Sequence, residues 1–292
     1  MNKKAFLQTL TAYTMWGLLP LYWKLLHDFS SLYVLANRIL FSAVFAVFLL
    51  FIRKSLPTLI TTIRNKQLMK YLIPASILVT VNWGVYIYAV SSGAIQDASF
   101  GYYINPLFVS AFGILVFKER YTKYNIVAFI LALIGVVYLI IQLGRVPYLS
   151  LALALTFTLY GACKKYAHMD SILSVAIETL LISPVAILFL MFSNTGKNSI
   201  VLLTPTLLFL FLLSGVFTSV PLMLYANGVN ELPFITVGFL QYIGPTLMLI
   251  ISLMEGEPFH REQLIGFSFI WAALIIFTVG MTKKGNSTVS PP

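Results

Sequence analysis

Two charged residues fall inside apolar stretches long enough to cross a bilayer, where ionisable side chains are costly and so chemically informative. Arg38 lies about five residues into its stretch from the outer face, roughly 8–9 Å deep. Its planar guanidinium can hold a carboxylate or another anion in bidentate fashion. The competing reading is structural, with the stem reaching outward or the head bonding helix-end carbonyls. Glu178 lies about six residues into another stretch, from the opposite face, and is the one acid of nine placed clearly within a span. A carboxyl buried there can load and release a proton near neutral pH, which makes Glu178 a candidate for proton coupling. The competing reading makes it the partner of Lys164 or Lys165 at the inner surface. On a hydrocarbon core of roughly 30 Å the depths of Arg38 and Glu178 differ by about 12 Å, so direct pairing requires tilting.

Around these charges the sequence supplies rings and amides. Tyr13, Trp16, Asn82, Trp83, Tyr86, Tyr103, Asn105, Gln241 and Tyr242 fall deep in their stretches. With Arg38 they are the candidate binding residues for a small amphipathic molecule. Packing of helix against helix is the alternative for each of them. Trp16 and Trp83 stand out because each precedes a glycine, Gly17 or Gly84, that leaves room at the interior. Lys24 ends the first stretch and either snorkels to the outer surface or joins Arg38 in an outer basic mouth. Pro106 and Pro245 occupy matched mid-helix positions, and Pro20, Pro184 and Pro221 lie inside other stretches. Each removes a backbone donor and marks a hinge or a static kink. Enzyme and metal chemistry find little support. His27, His168 and His260 lie on separate connections, and Cys163 is single. No H-E-x-x-H, C-x-x-C, G-x-S-x-G or P-loop motif occurs. No cofactor and no metal are expected, and an integral-membrane enzyme is a poor second choice.

The elements that must position these residues follow from composition. The chain has 292 residues, 59% hydrophobic and 10% charged, with 19 basic and nine acidic side chains and a mean hydropathy of +0.91. A soluble domain carries about 25% charged residues, and disorder needs low hydrophobicity. A polytopic all-α membrane protein remains. The net charge of +10 reads as membrane orientation and contact with anionic lipid, with no nucleic-acid partner. Charges, Pro/Gly clusters and polar breaks delimit ten spans, at about 5–26, 33–52, 71–92, 97–117, 124–143, 147–166, 172–192, 205–227, 233–254 and 262–281. The longest connection, 53–70, has room for a short amphipathic surface helix. With the N-terminus inside, fourteen Lys and Arg fall on the inner side, Lys164 and Lys165 among them. Arg145, Lys197 and Arg261 fall outside. Both termini are therefore expected in the cytoplasm.

The two halves of the chain echo one another. Tyr88-Ala89 recurs as Tyr225-Ala226, Gly101 as Gly238, and Tyr103-Ile104-Asn105-Pro106 as Tyr242-Ile243-Gly244-Pro245, at shifts of 137 to 139. Glu119 falls opposite Glu257, and Trp16-Gly17 has a looser echo in Tyr160-Gly161. Five spans per half is an odd number, so the copies enter the membrane from opposite sides. The expected organisation is a repeat at 1–143, a second at 146–282 and a short tail at 283–292.

Several stretches carry a family likeness over essentially the whole chain. They are Ala12-Tyr13-Thr14-Met15-Trp16-Gly17-Leu18-Leu19-Pro20, Tyr22-Trp23-Lys24-Leu25, Asn37-Arg38-Ile39-Leu40-Phe41-Ser42, Asn82-Trp83 with Tyr86-Ile87-Tyr88-Ala89-Val90, and Ala98-Ser99-Phe100-Gly101-Tyr102-Tyr103-Ile104-Asn105-Pro106-Leu107 with Lys118-Glu119-Arg120. As a set they resemble the EamA branch of the drug/metabolite transporter superfamily, in particular RarD-type permeases. Asn37 and Phe41 depart from the pattern, which has His and Trp there. The resemblance implies ten helices, a 5+5 inverted-topology repeat, and export or exchange of a small organic solute. The resulting expectation is a secondary transporter of the bacterial cytoplasmic membrane, monomer or homodimer, with its solute held near the midplane between spans 1–4 and 6–9. A channel of the same fold and a non-transporting sensor are the alternatives.

Overall fold

The computed structural model describes residues 2–92, 95–193, 204–256, 261–283 and 288–289. Lys197, Glu257, His260 and Lys284 lie outside the described residues. The helices are α1 (Lys3–Trp23), α2 (Ser31–Ile52), α3 (Leu56–Arg64), α4 (Lys66–Ser91), α5 (Ile95–Leu115), α6 (Lys123–Leu143), α7 (Tyr148–Ala167), α8 (Ser171–Phe192), α9 (Pro205–Glu231), α10 (Phe234–Gln241), α11 (Ile243–Met254) and α12 (Arg261–Thr282). The other regular element is a two-residue antiparallel pairing of Tyr121–Thr122 (β1) with Thr288–Val289 (β2). Seven described segments are long and apolar enough to cross a membrane: Ser31–Ile52, Lys66–Ala89, Lys123–Leu143, Ser171–Phe192, Pro205–Glu231, Phe234–Met254 and Arg261–Met281. The chain is thus an all-α, multi-pass membrane protein.

Local chemistry sets the helix limits. The Asn2 side chain accepts hydrogen bonds from the backbone of Lys4 and Ala5 and starts α1. Ser30 starts α2, and Asp170 starts α8 through Leu173 N–H. Thr122 and Asn125 form a reciprocal capping box at α6, which ends on Gly144 in the left-handed region at φ 69°. The first span runs to Trp23 rather than to 26, because after Pro20 the chain tightens into a 3-10 turn at Lys24–Leu26. The connection after α2 does hold a short amphipathic helix, α3, with Leu59 buried and Ile60 and Ile63 exposed. The ninth span is interrupted at Tyr242, three residues before Pro245.

The chain forms two compact units, each drawn from both halves of the sequence. The first comprises Met1–Ile87 and Leu159–Glu231. In it α2 packs on α8 and α9, and α1 packs on α9. Small residues let the backbones approach. Gly215 lies against Phe41, and Gly228 lies against Thr9. Ser42 donates to the Gly215 carbonyl at 3.1 Å, and Ser219 donates to the Ser42 carbonyl at 3.3 Å.

The second unit comprises Tyr88–Thr158 and Leu232–Pro292. Its core joins α6 to α12 and α5 to α10. Ala128, Ala132, Val136 and Leu139 form a stripe at helical spacing on α6 that meets Ile270, Ala273 and Phe277 of α12. Gly135 and Gly266 bring these two helices so close that a Cβ on Gly135 would stand 2.7 Å from the Gly266 carbonyl oxygen. Gly238 sits against the Pro106 carbonyl and Ser110 in the same manner.

Candidate functional site

The densest polar constellation among the described residues lies in the first unit and begins with a helix spacing. Tyr160 and Lys164 are four apart on α7, and Ser174 and Glu178 are four apart on α8. Each pair therefore shares one helix face. Where these faces meet, Lys164 Nζ donates to Glu178 Oε1 at 2.5 Å and to Ser174 Oγ at 2.7 Å. Ser174 Oγ donates to Glu178 Oε1 at 2.9 Å, and the Tyr160 hydroxyl donates to Glu178 Oε2 at 3.2 Å. The ammonium also stands 5.4 Å from the centre of the Tyr160 ring. Lys164 and Glu178 are 3% and 4% exposed, so this is a buried ion pair and not a surface one. Of the two lysines offered as partners for Glu178, it is Lys164 that pairs with it, enclosed in protein. It lies in the last turn of α7, and its stem and head are both enclosed. Its neighbour Lys165 turns instead to the Val229 carbonyl at the end of α9, at 3.3 Å.

An aromatic cluster adjoins the pair. The Tyr160 ring stacks on Tyr225 at 6.0 Å, and Tyr225 meets Tyr13 at 6.1 Å and Trp16 at 5.6 Å. Tyr13 and Trp16 are themselves 5.5 Å apart. Tyr13, Tyr160 and Tyr225 are fully buried, and the Tyr13 hydroxyl has no hydrogen-bond partner among the described residues. A buried phenol without a partner is a donor available to a water or a ligand.

On α2, Arg38 forms a second focus in the same unit. Its Nε donates to Thr218 Oγ1 at 3.0 Å. Its Cζ lies 4.5 Å from the Trp23 ring centre and 5.2 Å from that of Trp83. Two indoles thus hold one guanidinium, a contact in which Arg is favoured over Lys because its plane can stack. Trp83 also packs against the cluster of Leu35, Ala36, Ile39 and Ala186. Beside it, a Cβ on Gly84 would meet nothing within 4 Å, so that face of α4 is open. Asn82 is half-buried there, whereas Tyr86, expected deep, is 38% exposed. Lys24 is exposed at the end of α1. At the two departures from the family pattern, Asn37 donates to the Tyr33 carbonyl at 2.9 Å and Phe41 fills the space at Gly215.

The remaining expected residues lie in the second unit. Asn105 donates to the Ala154 carbonyl at 2.9 Å, while its Oδ1, Gln241 Oε1 and the Tyr242 hydroxyl lack hydrogen-bond partners among the described residues. Tyr103 packs edge-on against Phe267 at 5.0 Å. Pro106 is accommodated within an unbroken α5, whereas Pro245 follows the break at Tyr242. Pro20, Pro184 and Pro221 lie inside α1, α8 and α9, and Pro74 inside α4 is a further case.

Sequence reading passed over Ser174 and Thr218, gave Trp23 no role beyond the family likeness, and gave Tyr160 and Tyr225 none beyond the repeat. The signal for Ser174 and Tyr160 was present in the four-residue spacings. Trp23 and Thr218 carried none, since only the fold brings them to Arg38.

Known proteins agree with this architecture. The model of the EamA-like transporter family matches residues 3–141 and again 146–279. "Uncharacterized transporter YojE" of Bacillus subtilis (strain 168) is 41% identical over 99% of this chain and 98% of its own length. "Protein RarD" of Escherichia coli (strain K12) is 33% identical over 95% of each. A solved crystal structure at 14% identity shares the fold with a TM-score of 0.75, over 96% of this chain and 99% of that one. With two family matches spanning nearly its whole length, the chain belongs to the EamA-like transporter family, among relatives that include the RarD proteins.

Proposed function

We propose that this transporter is a secondary carrier that moves a small amphipathic organic solute, a drug or metabolite, across the bacterial cytoplasmic membrane by alternating access, in export or exchange. In this reading α1, α2, α4, α5, α6, α7, α8, α9, the α10–α11 pair and α12 make ten crossings, with both termini in the cytoplasm. The first five and last five crossings form a 5+5 inverted repeat, which the two matches of one family model support.

The observation that carries the solute assignment is Arg38 in its indole clamp. An intramembrane guanidinium held by Trp23 and Trp83 presents charge and aromatic surface together. That pairing suits a solute with an anionic group and an apolar body. Trp16, Tyr13 and Tyr225 extend the aromatic surface along the same unit. Break-in-helix positions such as Tyr242 supply the deformability that alternating access demands.

The test is counterflow in proteoliposomes, after a panel of metabolites and drugs has been screened for thermal stabilisation. A carrier accelerates uptake of labelled solute into vesicles preloaded with the unlabelled compound. Arg38→Ala and Trp16→Ala should lower that rate on the order of tenfold or more while folded protein stays in the membrane. Flux without preloading acceleration assigns a channel, and wild-type rates in both variants reject these two residues as solute contacts.

A further inference from the structure

We propose that Lys164 and Glu178 form a proton-gated anion site, in which protonation of Glu178 frees the Lys164 ammonium to take the anionic head of the solute. The inference rests on the carrier reading above and adds to it a second anion anchor, a coupling ion and a stoichiometry. A buried ion pair contributes little to stability, because desolvating two charges offsets their attraction. A pair of apolar residues of similar volume would hold α7 to α8 as well. The charges therefore call for a use.

The geometry supplies one. An ammonium has three donors, and two of those on Lys164 have oxygen partners among the described residues, Glu178 and Ser174. When a proton from water binds the Glu178 carboxylate, the acid becomes neutral and Lys164 is left as a buried cation with Ser174 and the Tyr160 ring. Such a cation is strongly unfavourable until an anion replaces the lost charge. One proton and one monoanion restore the neutral total, so they bind and leave together, which in the exchange mode moves no net protons. The second observation is the Tyr13 hydroxyl, buried and without a hydrogen-bond partner among the described residues, on the ring cluster that begins at Tyr160. It offers a donor to a polar group on the solute, with the body of the solute against Trp16 and Tyr225. The titratable groups facing the pair are Tyr160 and Cys163 on α7, with Tyr225 on α9 and Tyr13 on α1 behind them.

The probe is benzenesulfonate, an aromatic anion whose charge does not change over about pH 5 to 9, so any pH effect belongs to the protein. The protein is placed in nanodiscs of phosphatidylcholine, which removes anionic headgroups as competitors. Binding to the wild type should tighten by about tenfold for each pH unit of acidification, the slope of one proton linked to one anion. Glu178→Gln should bind as tightly at high pH as at low, and Lys164→Met should lose binding. The double variant Lys164→Met/Glu178→Gln, which leaves no charge unpaired, should fold and show neither binding nor pH dependence. A probe-free arm uses infrared difference spectra on acidification, where a protonated-carboxyl band should appear and vanish in Glu178→Gln. Absence of that band in the wild type overturns the proposal, as does an unchanged pH slope in Glu178→Gln or wild-type binding in the double variant. Counterflow that persists in the wild type alongside any of these failures leaves the carrier reading standing.

Discussion

The two units of this transporter solve the same packing problem with opposite chemistry. In the first, α7 and α8 meet through a lysine, a glutamate, a serine and a tyrosine hydroxyl, all buried. In the second, α6 and α12 meet through alanines and glycines, and Phe239 of α10 stacks on Phe277 of α12 at 4.3 Å. Apolar close packing is the economical way to join helices in lipid, because it leaves no charge to desolvate. The polar joint is the exception. The unit that carries it also holds the intramembrane Arg38 and the two indoles around it. The contrast teaches that the α7–α8 joint handles charge while the α6–α12 joint serves cohesion.

Substitutions can break or sharpen that contrast. The largest effect is expected from Lys164→Ala, which leaves Glu178 buried and unpaired and should cost about 3–5 kcal/mol, read as a fall in the thermal unfolding midpoint of the purified protein. Replacing both partners, as Lys164→Met/Glu178→Leu, should restore stability to near the wild type. A double variant as unstable as the single one would mean that the charges themselves hold the unit together. Next comes Gly135→Leu in the second unit. Its side chain would run into the Gly266 carbonyl and Phe269, and overpacking of this kind costs about 1–3 kcal/mol.

A smaller effect is expected at Glu119, whose carboxylate accepts hydrogen bonds from Phe234 N–H at 2.6 Å and Ile235 N–H at 3.0 Å. It caps the start of α10 from a distant part of the chain. Glu119→Ala should cost about 0.5–2 kcal/mol, and Glu119→Gln, which keeps an acceptor, less. The smallest belongs to the surface. Arg53 and Asp170 are 3.7 Å apart with both side chains more than half exposed, so Arg53→Ala should move stability by under about 1 kcal/mol and lose even that in high salt.

Much of the fold could be read from the sequence because membrane spans announce themselves. Apolar length, charge gaps and Pro/Gly punctuation placed the described helices to within a few residues, and the 53–70 connection held its short helix. The break at Tyr242 was harder to see, since the matched Pro106 leaves its helix continuous and only Gly244 in place of Asn105 weakens the second copy. Arg38 and Glu178 lie in helices long and apolar enough to cross a membrane, and Lys164 was one of two partners offered for Glu178, but nothing pointed to the partners of Arg38. Lys164 looked like a surface residue because it is followed by Lys165 and lies near the end of its span. The fold turns one lysine of that pair inward and the other toward a helix-end carbonyl.

The cap that Glu119 places on α10 bears on how the protein is made. The two leading amides of α10 are satisfied by a carboxylate synthesised 115 and 116 residues earlier. Until the α5–α6 hairpin has left the insertion machinery and settled, α10 begins with unsatisfied donors, and afterwards it begins with a ready acceptor. A C-terminal segment expressed by itself would lack the carboxylate that caps α10, and co-expression of the N-terminal segment should supply it.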